Sequence, residues 1–434
     1  MAGDPATGTG RAHASPGEPD GAWDLRDSED LDPNPLSALV DEHCHRQNPE
    51  ETRHHGFIKP REQRGPAKLY TRMDRKVKAY WNILADAGMA TTTIGWWMTY
   101  PPEQIPGLMV SQTNAAFKQG GMRKGELRTD TGHQVWPPAQ EPGVLATLAE
   151  HHASLPELTG NIFGTFDPPL EGEPALRWEQ CQWAFRADST YAQVLEDRLA
   201  QPGDSPPSPV TAIYMGGTDV VGHRFWAAHE PEPFGLAPDS EEVRQFAHVI
   251  SSYYVYVDTV LGRLLNLFPP ETTVFVISDH GMSRSLPEVA PDPDPGESVS
   301  TGVLPARSTA RVGEYTGGHK GDPGAFIAAG TGIRRRAISV LDNLDPERMP
   351  KLGSILDFCP TLLTLLDIPV SEDMDGKPMR SVLIAELFAD GPPRSIPTHD
   401  DPEWLASQDL EFERIDEGRL DQLRNLGYLG DDDE

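Results

Sequence analysis

Asp219 and His223 stand four residues apart in T-A-I-Y-M-G-G-T-D-V-V-G-H-R-F-W. Further on, V-F-V-I-S-D-H-G-M carries Asp279 and His280, and G-G-H-K-G-D-P-G-A-F-I-A-A-G carries His319. Carboxylate oxygens and neutral imidazole nitrogens together suit zinc and related transition ions. Three of the five donors are imidazoles, which argues against an all-oxygen magnesium or calcium site. Asp219, His223 and His319 make one three-residue set with an open position. Asp279 and His280 make half of a second. Two cations a few Å apart polarise a phosphoryl oxygen, activate a nucleophile and steady a leaving oxygen. D-x-x-x-H or D-H-G alone is a weak signal; the three motifs in this order are a much stronger one. The rival reading makes all five hydrogen-bonding loop residues.

The elements around these motifs are strands. Thr211 to Met215 reads as a buried strand, Thr273 to Ile277 as a strand and Phe326 to Ala329 as a short strand, each next to a motif, and open α/β sheets build sites at strand ends. Adjacent residues such as Asp279 and His280 cannot share a strand face, but at a strand end the backbone can turn and let both converge. Upstream, K-A-Y-W-N-I-L-A-D-A-G-M predicts a helix closed by Gly88. A-T-T-T-I-G-W-W-M-T-Y-P-P predicts a strand stopped by Pro101-Pro102, followed by a short segment at Met109-Val110-Ser111. Thr190 to Ala200 predicts a helix. Asp239 is placed to cap a long helix in which Phe246, Val249, Ile250, Tyr253, Val257, Val260, Leu261 and Leu264 recur at helical spacing. S-I-L-D-F-C-P-T-L-L-T-L-L-D-I-P reads as a helix with an internal Pro360, and L-D-Q-L-R-N-L as a terminal one. The expected fold class is α/β, with a mostly parallel central sheet flanked by helices on both faces. Residues 112–170 and 283–316 are insertions: the first carries local helices such as G-V-L-A-T-L-A-E-H-H, and the second is a Pro-rich acidic loop over the site.

The bulk composition narrows the partners. Lys+Arg 37 against Asp+Glu 67 gives a net charge of −30 over 434 residues. Such a field repels polyanions, so a nucleic-acid polymer is excluded as a broad partner, while a small phosphorylated substrate held through cations is not. Three scattered cysteines (Cys44, Cys181, Cys359) make no disulfide framework. No stretch approaches a membrane span, and no basic-then-apolar leader opens the sequence, so a reducing cytoplasm is the expected compartment. No pattern sets an oligomeric state. Residues 1–56 differ from the rest: a Gly/Pro/Ala-rich start predicts disorder, and a His/Cys tract from Asp41 to Gly56 reads better as a polar segment than as a zinc site. Residues 57–434 read as one α/β domain.

T-D-V-V-G-H, S-D-H-G-M and G-G-H-K-x-x-P-G-x-F-I-A-x-G resemble the metal-binding blocks of the alkaline phosphatase superfamily, and most of all those of its type I phosphodiesterase/nucleotide pyrophosphatase branch. W-N-I-L-A-D-A-G, I-G-W-W-M-T-Y-P, D-M-D-G-K-P and L-R-N-L-G-Y-L-G are also similar, so the resemblance spans roughly residues 70 to 430. It implies an alkaline-phosphatase-like fold with an inserted cap, two divalent metals (zinc, or manganese) and cleavage of phosphate esters through a covalent phospho-enzyme. One metal would be held by Asp219, His223 and His319. The other would be held by Asp279 and His280, with a further Asp and a Ser/Thr nucleophile from the start of the chain.

That further Asp and the nucleophile do not appear in the sequence as written. The resemblance calls for a strand ending in Asp and an L-S-P-x-x-W-T-S-I-A-T-G-like block closed by H-G-I. Residues 1–56 offer His55-Gly56-Phe57 and a faint D-G-A-W-D-L at Asp20. Codons compatible with Pro35 to His54, read one base later, can spell L-S-P-x-W-W-T-S-I-A-T-G-K-T-P-x-x-H-G-I. This predicts a frame-shifted N-terminal segment. The expected function is a metal-dependent phosphodiesterase or nucleotide pyrophosphatase whose nucleophile is absent from this chain. The alternatives are a catalytically degenerate metal- and phospho-ligand-binding module, or a phosphomonoesterase or sulfatase relative. A sulfatase would need a C/S-x-P-x-R block, and none is present.

Overall fold

The β-branched run Thr91–Ile94 forms β1, and all four side chains are buried. Branching at Cβ restricts χ1 and suits a pleated, packed surface. The computed structural model describes residues 72, 75–112, 115–116, 122–123, 133–179, 181–200, 208–285, 316–318, 323–335 and 352–404. Ahead of β1 lies α1 (Tyr80–Asp86), and Gly88 follows it at φ +76. β1 stops at Ile94, seven residues before Pro101. Gly95 takes φ +69 there, and a Cβ on it would lie 2.6 Å from the Tyr191 ring. The expected strand through Trp96, Trp97 and Tyr100 is therefore a turn that leaves the sheet.

β2 (Gly107–Val110) and β4 (Val210–Ile213) pair with β1 in parallel, and β3 (Val135–Trp136) joins β2 antiparallel at the edge. The sheet order is β3-β2-β1-β4. The 112–170 stretch thus supplies a strand as well as local helices, α2 (Glu141–Ala153), which contains the expected G-V-L-A-T-L-A-E-H-H, and α3 (Leu155–Phe163). After α4 (Gly172–Glu179), α5 runs from Gln182 to Ala200, eight residues longer at its start than the apolar pattern indicated.

α6 (Gly217–His229) follows β4. The predicted long helix is broken into α7 (Glu241–Phe246) and α8 (Val249–Leu265), and Ser240 caps α7 by accepting the Val243 amide at 3.4 Å; Asp239 does not. The serine is one residue nearer, where a side-chain oxygen reaches the third amide of the helix. β5 (Val274–Ile277), β6 (Ser283–Arg284), β7 (Gly317–Gly318) and β8 (Phe326–Ala329) come next. β5 pairs antiparallel with β8, and β6 with β7. Among the described residues these pairs are separate from the four-stranded sheet, so the single mostly parallel sheet expected from the sequence is seen as a mostly parallel four-stranded sheet and an antiparallel pair. In α9 (Phe358–Leu365), Pro360 falls in the first turn, where its missing N–H costs no helical bond.

The core has two allegiances. Leu108 and Val110 pack with Tyr191, Leu195, Val260 and Leu264 of α5 and α8. Met109 packs with Trp81, Leu84 and Leu363 of α1 and α9. Alternation along a strand sends neighbours to opposite sides. A third, aromatic cluster ties Phe163, Phe185 and Tyr253 to Val221 and Phe225 of α6. Arg75 grips Glu103 through both carboxylate oxygens (2.8 and 2.7 Å), while Trp81 and Asn82 donate to the same carboxylate. Among the described residues no helix is long and apolar enough to cross a membrane. The Asp41–Gly56 tract, the interior of the 283–316 loop and the terminal L-D-Q-L-R-N-L segment lie outside the described residues.

Candidate functional site

β4 delivers the chain through Tyr214 and two glycines into α6. Asp219 lies in the first turn of α6 and His223 one turn later, so the four-residue spacing puts both on one helix face. Asp219 Oδ1 is 3.2 Å from His223 Nε2. β5 delivers Asp279 and His280 just beyond Ile277. His280 Nε2 is 3.5 Å from Asp279 Oδ2 and 4.0 Å from Asp219 Oδ1. Four of the five predicted ligands therefore meet. Asp219 stands between the two histidines, although the sequence had put it in the His223 set alone. His319 lies outside the described residues. Among those residues, no group of three or more His, Cys, Asp or Glu side chains is gathered into a ready metal-holding set; the four stand as linked pairs.

The histidine rings have defined tautomers. His223 Nδ1 donates to the Gly317 carbonyl at 2.8 Å, and His280 Nδ1 to the Gly281 carbonyl at 2.9 Å. A carbonyl oxygen only accepts, so each Nδ1 carries the proton and a neutral ring presents an Nε2 lone pair. That lone pair faces a carboxylate in both cases. Two acceptors face to face require a proton or a cation between them. Ligands sharing one tetrahedral zinc are about 3.3 Å apart, close to the 3.2 and 3.5 Å observed. A backbone carbonyl on the far ring nitrogen is a usual outer partner of a metal-binding imidazole.

Glycines allow the close approach behind His223. β7 runs against α6: Thr316 N donates to the His223 carbonyl at 2.8 Å, and Ala227 N donates to Thr316 Oγ1 at 3.1 Å. A Cβ on Gly317 would lie 2.3 Å from the Gly222 carbonyl oxygen.

Two nearby residues carried no sequence signal. Asp188, on α5, is buried; its Oδ1 accepts the Gly216 amide at 3.0 Å, and its Oδ2 accepts the Gly217 amide at 2.8 Å and the Tyr253 hydroxyl at 2.7 Å. Burial pushes this carboxyl up to about 6, against the pull of its three donors. The Tyr214 hydroxyl lies well above its ordinary range, first through burial and then through the Asp279 and Asp219 carboxylates. It is a neutral phenol beside an acidic cluster. In the sequence Tyr214 is an ordinary strand-end residue and Asp188 lies ahead of the helix predicted from Thr190; the backbone amides that Asp188 serves leave no residue pattern. A small cavity beside Asp219 is lined by Asp188, Tyr214, Trp97, Trp183, Tyr191 and Gln112. Trp97, expected to pack in a strand, meets Tyr214 edge-on at 6.2 Å.

A family model described as type I phosphodiesterase / nucleotide pyrophosphatase matches residues 45–290, more than half of the 434-residue chain. No curated protein gives a significant match.

Proposed function

Because the chain belongs to the type I phosphodiesterase / nucleotide pyrophosphatase family, within the alkaline phosphatase superfamily, we propose that it descends from a metal-dependent phosphoester hydrolase and retains the cation site. The family acts on small phosphorylated substrates. The observation that carries the metal reading is the 3.2 Å approach of Asp219 Oδ1 to a His223 Nε2 whose ring proton is committed to Gly317. Asp219, His223 and His319 would hold one divalent ion, and Asp279 and His280 part of a second; zinc suits the donors best, with manganese next. His319 follows directly on β7, the strand that His223 bonds. When bound, the ions would supply Lewis acidity to the phosphoryl group and lower the pKa of an attacking hydroxyl. The chain's own part is orientation. Gly317 and Gly281 hold the imidazoles in register, α6 aligns Asp219 with His223, and Tyr214 keeps a neutral donor beside the carboxylates.

The opposite packing of Met109 and Val110 supports an alkaline-phosphatase-like central sheet with helices on both faces, built from residues 57–434 with 112–170 and 283–316 as cap-forming insertions. The buried thiols Cys181 and Cys359 suit a reducing cytoplasm.

The nucleophile block is the weak point of the enzyme reading, and it favours the second one: a degenerate module that binds metal and a phosphorylated ligand without turnover. We attribute the gap to a shifted reading frame upstream of Gly56. The family match begins at residue 45, within the Pro35 to His54 stretch, and leaves residues 1–44 outside it. The gene's nucleotide sequence decides this point: if the shifted codons do not spell the L-S-P-x-W-W-T-S-I-A-T-G block, the frame idea fails. For function, the purified chain is titrated with zinc and manganese and assayed on a nitrophenyl phosphodiester. The expected result is metal binding with little or no turnover, and turnover in a frame-corrected protein that Asp219→Ala abolishes. A chain that binds neither metal overturns the reading.

A further inference from the structure

We propose that Asp188 is a positioning residue for the cation site: its carboxylate fixes the first turn of α6 and thereby sets where the Asp219 carboxylate stands. The inference rests on the metal reading above. Asp188 belongs to α5, far from the site in sequence, and is 2% exposed. The first amides of a helix have no partner inside it. α6 begins at Gly216-Gly217, where neither residue has a side chain to serve as a cap. Asp188 takes over that role from another helix, with one oxygen on the Gly216 amide and the other on the Gly217 amide. Asp219 is two residues further on in the same turn. Its carboxylate faces His223 and His280 together, so rotation or fraying of this turn moves it relative to both.

Tyr253 closes the arrangement from α8. Its hydroxyl donates to Asp188 Oδ2, and a Cβ on Gly217 would fall 2.0 Å from that hydroxyl oxygen. The tyrosine approaches where only glycine leaves room. Three donors thus converge on two carboxylate oxygens. An asparagine has one acceptor oxygen and would turn N–H towards one of the donors, so Asp188→Asn keeps the size and breaks the fit.

A clamp that merely joins α5, α6 and α8 would matter for folding and leave metal affinity alone in any variant that folds. The test therefore reads zinc affinity. The full chain, Asp188→Asn and Tyr253→Phe are titrated with zinc against a chromophoric chelator, below the unfolding temperature of each metal-free protein. Removal of an outer partner of a metal site costs about 10–100-fold in affinity. Asp188→Asn is expected to weaken zinc binding by about tenfold or more, and Tyr253→Phe, which keeps both glycine bonds, by a few-fold. Wild-type affinity in folded Asp188→Asn overturns the proposal. If that variant does not fold, wild-type affinity in Tyr253→Phe overturns it instead. A wild-type chain that binds no zinc overturns the metal reading, whereas zinc binding indifferent to both substitutions overturns only the role of Asp188.

Discussion

Asp219 Oδ1 lies 3.2 Å from His223 Nε2, on the ring whose other nitrogen donates to Gly317. The pair is one turn of helix apart and is joined to His280 through the same carboxylate oxygen. Asp219→Ala removes the group common to both imidazoles. It is expected to abolish tight zinc binding, and His223→Ala to weaken it by more than the roughly 10–100-fold that loss of an outer partner costs. Chelator competition measures both. Equal affinity in wild type and Asp219→Ala would place the metal elsewhere.

Gly317 and Gly318 are neighbours with opposite tolerances. A Cβ at Gly317 would sit 2.3 Å from the Gly222 carbonyl oxygen, whereas at Gly318 it would meet Ser285 Cβ at an ordinary 3.4 Å. Gly317→Ala should push β7 away from α6 and cost about 1–3 kcal/mol, the usual range for overpacking. Gly318→Ala should cost little. Urea unfolding of the two variants makes the comparison, and equal midpoints contradict it.

Glu103 makes a pH prediction. Burial raises its carboxyl pKa, but the Arg75 guanidinium, with help from Arg72 and Asn82, outweighs burial and holds the group at about 2 against an ordinary 4.5. The folded value is depressed, so the contribution is present above about pH 4.5 and is lost as the pH falls towards 2. The advantage of wild type over Glu103→Gln, roughly 3 kcal/mol at neutral pH, should shrink across that window. Denaturant melts at several pH values measure it. A gap that stays constant from pH 6 to 2.5 assigns the cost to packing alone.

The start of α7 separates two adjacent caps. Ser240→Ala removes the acceptor of the Val243 amide and should cost about 1 kcal/mol. Asp239→Ala should leave thermal stability within a few tenths of that of wild type. A larger loss at Asp239 would reverse the assignment.

The sequence showed what obeys local rules. Phe326–Ala329 forms its strand as read, and the stripe from Phe246 to Leu264 buries Val249, Ile250, Tyr253 and Val260 as its helical spacing demands. Asp219, His223, Asp279 and His280 were legible because their residue types carry the chemistry. Three things were not. Gly95 ends β1 early by turning to φ +69, at a place where the Tyr191 ring, nearly a hundred residues away, occupies the space a side chain would need. Ala247 and His248 interrupt a periodicity that continues across them, so α7 and α8 read as one helix. Asp188 serves backbone amides, whose positions exist only once the chain is folded.

β4 and β5 are apolar strands with half-buried side chains, and among the described residues each has a ladder partner on one side only. The practical consequence is colloidal. The net charge of −30 keeps copies of the chain apart at low ionic strength, and salt screens that repulsion within about 10 Å at 0.1 M. Handling in high salt therefore weakens the repulsion between copies of this polypeptide and favours their association, and dilute low-salt buffers favour separate molecules.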